Sequence, residues 1–353
     1  MEETIFRILD TLSREMGNQI SISKLTERIK ELHGTAYYAN IYRTLQNLTQ
    51  EGVITLTKTG NTSIARLNFS NYLLLDLLTE MELKRKHELL KRRELQILWT
   101  DLDARLRNLR RIESISLIDP EKNLKLNRLE FLILLDSDLK NGDKIDYTLT
   151  ICEIIRQLQS MHNIKLDPLI LTFNEFLELL RSEEINPIKE VLPHAITLYS
   201  PSTFWNEIAI SSRMLHGISL GEKETNPARI AERDLIHNLT RFGYKEMGDK
   251  IREGPYICIE FIIASLLIEN NARRIEAIPI LLAKNKANYS LLTFLSQKYG
   301  FEGKLLGILR ALNSLKPTDD IQGAIRILEA MKTAEINVDE RGIRQKMRLY
   351  SAD

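Results

Sequence analysis

The chain has 353 residues, with 49 lysines and arginines against 48 aspartates and glutamates, for a net charge of +1. Such a length predicts two or three domains, and hydrophobic and charged shares of 43% and 27% belong to a folded chain rather than a disordered one. The longest greasy stretch, residues 256–268, is interrupted by Glu260 and falls short of the roughly 20 residues a membrane helix needs. The opening Met-Glu-Glu-Thr does not read as a signal peptide, and Cys152 and Cys258 are too isolated for a disulfide framework or a zinc-ligand spacing. The expectation is a cytoplasmic protein with no membrane association, its two cysteines packed as small hydrophobes.

Residues 2–16 form an amphipathic pattern with Ile5, Ile8, Leu9 and Leu12 on one side. A second helix is predicted over 23–32, with Ser23 suited to cap it, and a polar turn follows at His33-Gly34-Thr35. The next helix, 39–51, places Ile41, Leu45 and Leu48 on one face and turns Asn40, Arg43, Thr44 and Asn47 outward. Gly52 ends it, where a left-handed residue is cheap. Two strand-like runs, 53–59 and 62–68, are joined by Gly60-Asn61, a good hairpin signal. Helix, turn, helix, hairpin is an order suited to laying one helix in a DNA major groove.

The run Asn-Ile-Tyr-Arg-Thr-Leu-Gln-Asn-Leu-Thr-Gln-Glu-Gly-Val-Ile at 40–54 resembles the recognition helix and first wing strand of winged-helix transcription factors of bacterial and archaeal repressors. The likeness covers about the first 70 residues. It implies binding of double-stranded DNA, with Asn40, Arg43, Thr44 and Asn47 reaching base edges or phosphates. Tyr37 and Tyr38 would add phosphate contacts through their hydroxyls, and Lys58 and Arg66 on the wing would hold the backbone. Winged helices also serve as protein-docking modules, and that reading competes with the first.

Residues 72–109 lack proline and glycine and predict a nearly continuous helix. No clean heptad persists through its leucines, so a connector packed on the next domain is favoured over a dimer-forming coil. Its basic residues, among them Lys84, Arg85, Lys86, Lys91, Arg92 and Arg93, fit a solvated face at least as well as a phosphate track.

The pattern changes at Ile112. Strands are predicted over 112–118, 129–135, 165–172 and 195–199, with helices over 147–161 and 173–181 and a short one starting at Asn186-Pro187. From Thr203 onward only helices are expected, with breaks at 217–226, 254–255, 300–303 and Pro317. The basic closing segment 341–348 reads as a solvated terminus more readily than as a nucleic-acid tail. Trp99, Phe204 and Trp205 read as core anchors.

Across about 100–350, four phrases resemble archaeal proteins that join a winged helix to a minimal, MNT-like nucleotidyltransferase domain. They are Leu-Asp-Pro-Leu-Ile-Leu-Thr-Phe-Asn-Glu-Phe at 166–176, Glu-Ile-Asn-Pro-Ile at 184–188, Ile-Thr-Leu-Tyr-Ser-Pro-Ser-Thr-Phe-Trp at 196–205, and Arg-Ile-Glu-Ala-Ile-Pro-Ile-Leu-Leu-Ala-Lys at 274–284. Family chemistry requires a Gly-Ser turn for triphosphate, an Asp-x-Asp opening the second strand for two Mg²⁺ ions, and a third aspartate on a later strand. Here the turn position reads Asp119-Pro120 and the paired-carboxylate position reads Leu129-Glu130-Phe131. Only the third carboxylate has a counterpart, Asp167. Strand alternation aims Leu129 and Phe131 where ligands belong and turns Glu130 away. Asp136-Ser-Asp138 stands at the wrong end of its strand for the missing pair. Asp167 is therefore expected as a surface or strand-end residue, with a low-ranking role as a metal ligand. Arg233 and His237 fall one residue short of the Arg-x4-6-His spacing of HEPN ribonucleases and read as an ordinary polar pair.

The combined expectation is an α+β, multidomain protein. It has a winged helix-turn-helix at 1–70, a connecting helix at 71–111, a degenerate nucleotidyltransferase-like α/β domain at 112–202 and an all-helical C-terminal domain at 203–353. Its function reads as a DNA-binding transcriptional regulator with an inactive nucleotidyltransferase-like scaffold, no catalytic residues and no cofactor. Two alternatives stand beside it. One is a Mg²⁺-dependent nucleotidyltransferase using Asp119, Asp136 or Asp138 with Asp167. The other is an antitoxin-like scaffold that binds protein. A protein partner at the C-terminal helices and a homodimer are left open.

Overall fold

A computed structural model describes residues 1–60, 62–214, 220, 225–245 and 253–352, without the side chains of 213, 214, 272 and 273. The protein is a mixed α and β structure with two small sheets. The first 67 residues run α1 (Glu3–Arg14), β1 (Ile20–Ser21), α2 (Ile22–His33), α3 (Tyr38–Gln50), β2 (Ile54–Thr59) and β3 (Thr62–Leu67). β1 is absent from the sequence expectation, because two residues carry no period to read. It completes an antiparallel sheet of order β1-β3-β2. The α2 cap is Ser21 rather than Ser23: its hydroxyl accepts from the Lys24 amide at 3.2 Å. Gly52 holds φ +74°, the left-handed turn that leads from α3 into β2. Asn61, the second residue of the expected hairpin turn, lies outside the described residues.

The expected long helix is two helices, α4 (Tyr72–Leu89) and α5 (Arg93–Leu106). No helix-breaking residue separates them; tertiary packing overrides propensity here. α4 lies along α1 and β7, whereas α5 turns to pack on α7. The second sheet contains β4 (Ile112–Ile118), β5 (Arg128–Leu135), β6 (Lys165–Thr172) and β7 (Ala195–Tyr199) in the order β6-β5-β4-β7. Short α6 (Pro120–Leu124) links β4 to β5, and α7 (Asn141–His162) is the crossover between the parallel pair β5 and β6. Between β6 and β7 come α8 (Phe173–Arg181), closed by a Thr172–Glu175 capping box, and α9 (Pro187–Val191), capped by Asn186.

Helices fill the rest of the described chain: α10 (Pro201–Met214), α11 (Glu232–Arg241), α12 (Ile259–Glu269), α13 (Ala272–Ile275), α14 (Ile278–Lys284), α15 (Tyr289–Tyr299), α16 (Glu302–Leu315), α17 (Asp319–Ala330) and α18 (Glu340–Leu349). The expected break at 217–226 lies largely outside the described residues. Gly303 does not break the chain but sits inside α16, where an added Cβ would meet the Ala334 carbonyl oxygen. The basic closing segment is also no free tail. α18 buries Ile343 and Met347 and pairs Lys346 with Glu276 at 2.6 Å. Among the described residues, no helix is long and apolar enough to cross a membrane.

Each sheet face has its own cover. Leu129, Phe131, Ile133 and Leu166 pack with α5 and α7, and Trp99 joins them. Leu132, Leu134, Leu169 and Leu171 face the other way, into a core that runs without interruption from α1–α3 to α12, α15 and α16, and includes Phe204 and Trp205. Cys152 and Cys258 are buried, and burial pushes the Cys152 thiol up to about 12.

Candidate nucleic-acid interface

Ile41, Leu45 and Leu48 anchor α3 to the core, at the three- and four-residue spacing that leaves the opposite side of the helix in water. That side carries Tyr38, Asn40, Tyr42, Arg43, Gln46 and Asn47, all exposed, with Tyr37 just before it and Thr44 half-buried at its edge. Tyr38 and Tyr42 stack with ring centroids 6.1 Å apart and planes 10° from parallel. The Gln46 amide donates to the Tyr42 hydroxyl at 3.0 Å. Sequence reasoning missed Tyr42 and Gln46, although the spacing 38, 42, 46 marks them as one helical stripe. No carboxylate occurs between Tyr38 and Gln50, so this surface offers donors, acceptors and aromatic faces with one fixed positive charge, Arg43.

The end of α3 is tied to the segment after β3. Asn68 donates to the Gly52 carbonyl at 2.7 Å and Asn71 to the Glu51 carbonyl at 2.8 Å. The hairpin register pairs Thr55 with Arg66 and Lys58 with Ser63. Side chains alternate along a strand, so Lys58 and Arg66 project from opposite faces of the hairpin, both exposed. They cannot hold the same stretch of nucleic-acid backbone from one face.

The basic residues of α4 do not extend this surface. Arg85 is buried, 2.6 Å from the Asp10 carboxylate and 2.9 Å from that of Glu82, and it donates to the Ala195 carbonyl. Lys84 pairs with Glu3, and Lys86 donates to the Leu198 carbonyl. Glu82 accepts from the Thr197 amide at 2.9 Å, and His33 at the end of α2 lies 3.1 Å from Asp10. Burial alone would raise the Asp10 carboxyl, but Arg85, His33 and Arg14 together hold it far below the usual carboxylate range. Burial raises that of Glu82 despite Arg85. This network ties α1 and α2 to α4 and β7.

On the second sheet, Leu129 and Phe131 face the α5–α7 core, whereas Glu130, expected to turn away from the place of the metal ligands, takes the same face as Asp167, the one acidic counterpart. The parallel register then sets Glu130 directly beside Asp167. Asp167 is accordingly not a surface or strand-end residue; only 2% of its side chain is exposed. Its carboxylate lies 2.6 Å from Arg128, which also reaches Glu130 at 3.3 Å, and Lys298 of α15 pairs with Glu130 at 3.1 Å. Burial raises the Asp167 carboxyl in spite of Arg128 and Lys165. Asp119 caps α6 and lines a small cleft with Glu130, Lys122 and His194.

Asp136 is bound instead at the far end of β5, 2.6 Å from Arg111, and it accepts from the Asp138 amide. Its neighbour Leu135 pairs with Thr172, five residues along β6 from Asp167, or roughly 17 Å of strand. Asp136 and Asp138 therefore do not converge with Asp167. Among the described residues, no group of three or more His, Cys, Asp or Glu side chains is placed to hold a metal ion. Compared with family models, curated proteins and solved structures, the chain has no significant match.

Proposed function

We propose that the protein is a DNA-binding transcriptional regulator whose first 67 residues form a winged helix-turn-helix, with α3 as the recognition helix and β2–β3 as the wing. The observation that carries this reading is the acid-free outward face of α3, held by three buried anchors beside an exposed hairpin. A carboxylate on such a face would repel phosphate, whereas amides, hydroxyls and one arginine match base edges and backbone oxygens. The strands and helices from Ile112 to Tyr199 then serve as a nucleotidyltransferase-like scaffold rather than an enzyme. Supporting this, the residues nearest the family's acidic site, Glu130 and Asp167, are neutralised by Arg128 and Lys298 from the chain itself.

A second reading has its own observation. Three exposed tyrosines beside a single arginine also suit docking of a protein partner at the same face. Retention of random duplex DNA by the full-length protein, compared with the separated strands, tests the choice. Preference for duplex supports the regulator. No retention of either, with a protein partner held through Tyr38 and Tyr42, supports docking.

A further inference from the structure

A cavity of about 450 Å³ opens at the carboxyl end of β6, walled by α7, α8, α12, α15 and α17. It lies on the far side of the scaffold from the Glu130–Asp167 pair, and no part of the reading above uses it. Five carboxylates line it against two lysines. Lys144 is already engaged, 2.5 Å from Glu175 and 3.1 Å from the Ser290 hydroxyl. Lys286 stands at the exposed mouth, 3.7 Å from Glu178. Two carboxylates have no ion-pair partner among the described residues. Glu260 is buried in the wall, where its carboxylate accepts from the Asn288 amide at 2.6 Å and meets the Cys258 thiol and its own backbone amide, with no cation beside it among the described residues. Asp320, in the first turn of α17, receives a long 3.4 Å bond from Asn141.

A second observation is independent of the charges. Thr148 of α7 is 4% exposed and lines the cavity, yet its hydroxyl has no hydrogen-bond partner among the described residues. A buried polar group in that state costs free energy unless something supplies a partner. Between the polar groups, Ile145, Ile259, Tyr289 and Ala324 give an apolar lining.

We propose that this cavity binds a linear organic cation of the polyamine class, its ammonium groups at Glu260 and Asp320 and its methylene chain along Ile145 and Tyr289. Excess negative lining disfavours phosphates and carboxylates, and acids without ion-pair partners on two different helices, α12 and α17, together with an apolar lining match amines joined by methylenes. Desolvation raises the Glu260 carboxyl, and an ammonium group beside it would offset that cost of burial.

Isothermal titration of the full-length protein with spermidine, at near-physiological salt, tests this. The expected result is one saturable site, weakened roughly tenfold by Glu260→Gln and by Asp320→Asn, the loss of one charge-assisted contact each. Thr148→Val should weaken it less. Asp320 is exposed, so Asp320→Asn keeps the test valid if Glu260→Gln fails to fold. The proposal is overturned by an absence of saturable binding, or by binding that neither acidic variant alters. Tighter binding of ATP than of spermidine, sensitive to the same variants, also overturns it.

Discussion

The Asp10 carboxylate on α1 lies 2.6 Å from the Arg85 guanidinium on α4, and both side chains are buried. Through Arg85 the same contact reaches Glu82 and the carbonyl of Ala195 on β7. The helices that present α3 are thus fixed to the second sheet by charge as well as by apolar packing. Removing one member of such a buried network leaves the others charged and unpaired. Arg85→Ala is expected to cost about 3–5 kcal/mol in urea unfolding. A loss below about 1 kcal/mol would show that water or rearrangement replaces the guanidinium.

The pH dependence of that network has a definite sign. Asp10 is depressed in the folded state, so its stabilising contribution is complete above the unfolded carboxylate value, about pH 4, and declines as pH falls below it. The stability gap between the native chain and Asp10→Asn should stay constant from about pH 7 to 5 and shrink in more acid solution. A gap that widens on acidification would contradict the assignment.

Arg128 should behave differently, because the acid it holds is raised rather than lowered. Arg128→Met leaves Glu130 and Asp167 side by side with only the lysines, at a cost of about 3–5 kcal/mol near neutral pH. A raised acid destabilises the fold as pH climbs through its titration, so the variant should regain stability as pH is lowered towards about 4. Equal losses at both pH values, measured by denaturant titration, would count against the paired-acid account.

On α3, Tyr42→Ala and Gln46→Ala remove exposed side chains and are expected to leave stability within about 0.5 kcal/mol. If this stripe meets a ligand, Tyr42→Ala should weaken DNA retention severalfold. Gln46→Ala acts partly by freeing the Tyr42 hydroxyl and should do less. Unfolding of either variant at ordinary temperature would mean that the face is structural.

Much of the fold was legible because periods of 2 and 3.6 are clear in this chain. The strand 165–172 and the helix 173–181 occur where the sequence placed them, as does the outward set Asn40, Arg43 and Asn47. What failed depended on partners distant in sequence. The break between α4 and α5 carries no breaker residue and comes from two helices packing on different neighbours. Arg85 sits in an ordinary-looking basic run, and only the approach of Asp10, far earlier in the chain, shows that it is buried. Asp167 looked like a strand-end residue because the register that sets it beside Glu130 is a tertiary fact. Periodicity gave Glu130 its face; it could not show what shared that face.

The central claim is that α3 and its hairpin meet the phosphate backbone of duplex DNA. Fluorescence anisotropy of the full-length protein on a duplex, titrated with salt, tests it most directly. Arg43 is exposed on α3, and Lys58 and Arg66 lie on opposite faces of the hairpin, so at most two of the three reach one stretch of backbone. The logarithmic salt slope should be no steeper than about −2 per bound protomer and should fall by about 1 in Arg43→Ala. Binding that is absent, or whose salt slope Arg43→Ala leaves unchanged, would contradict the account.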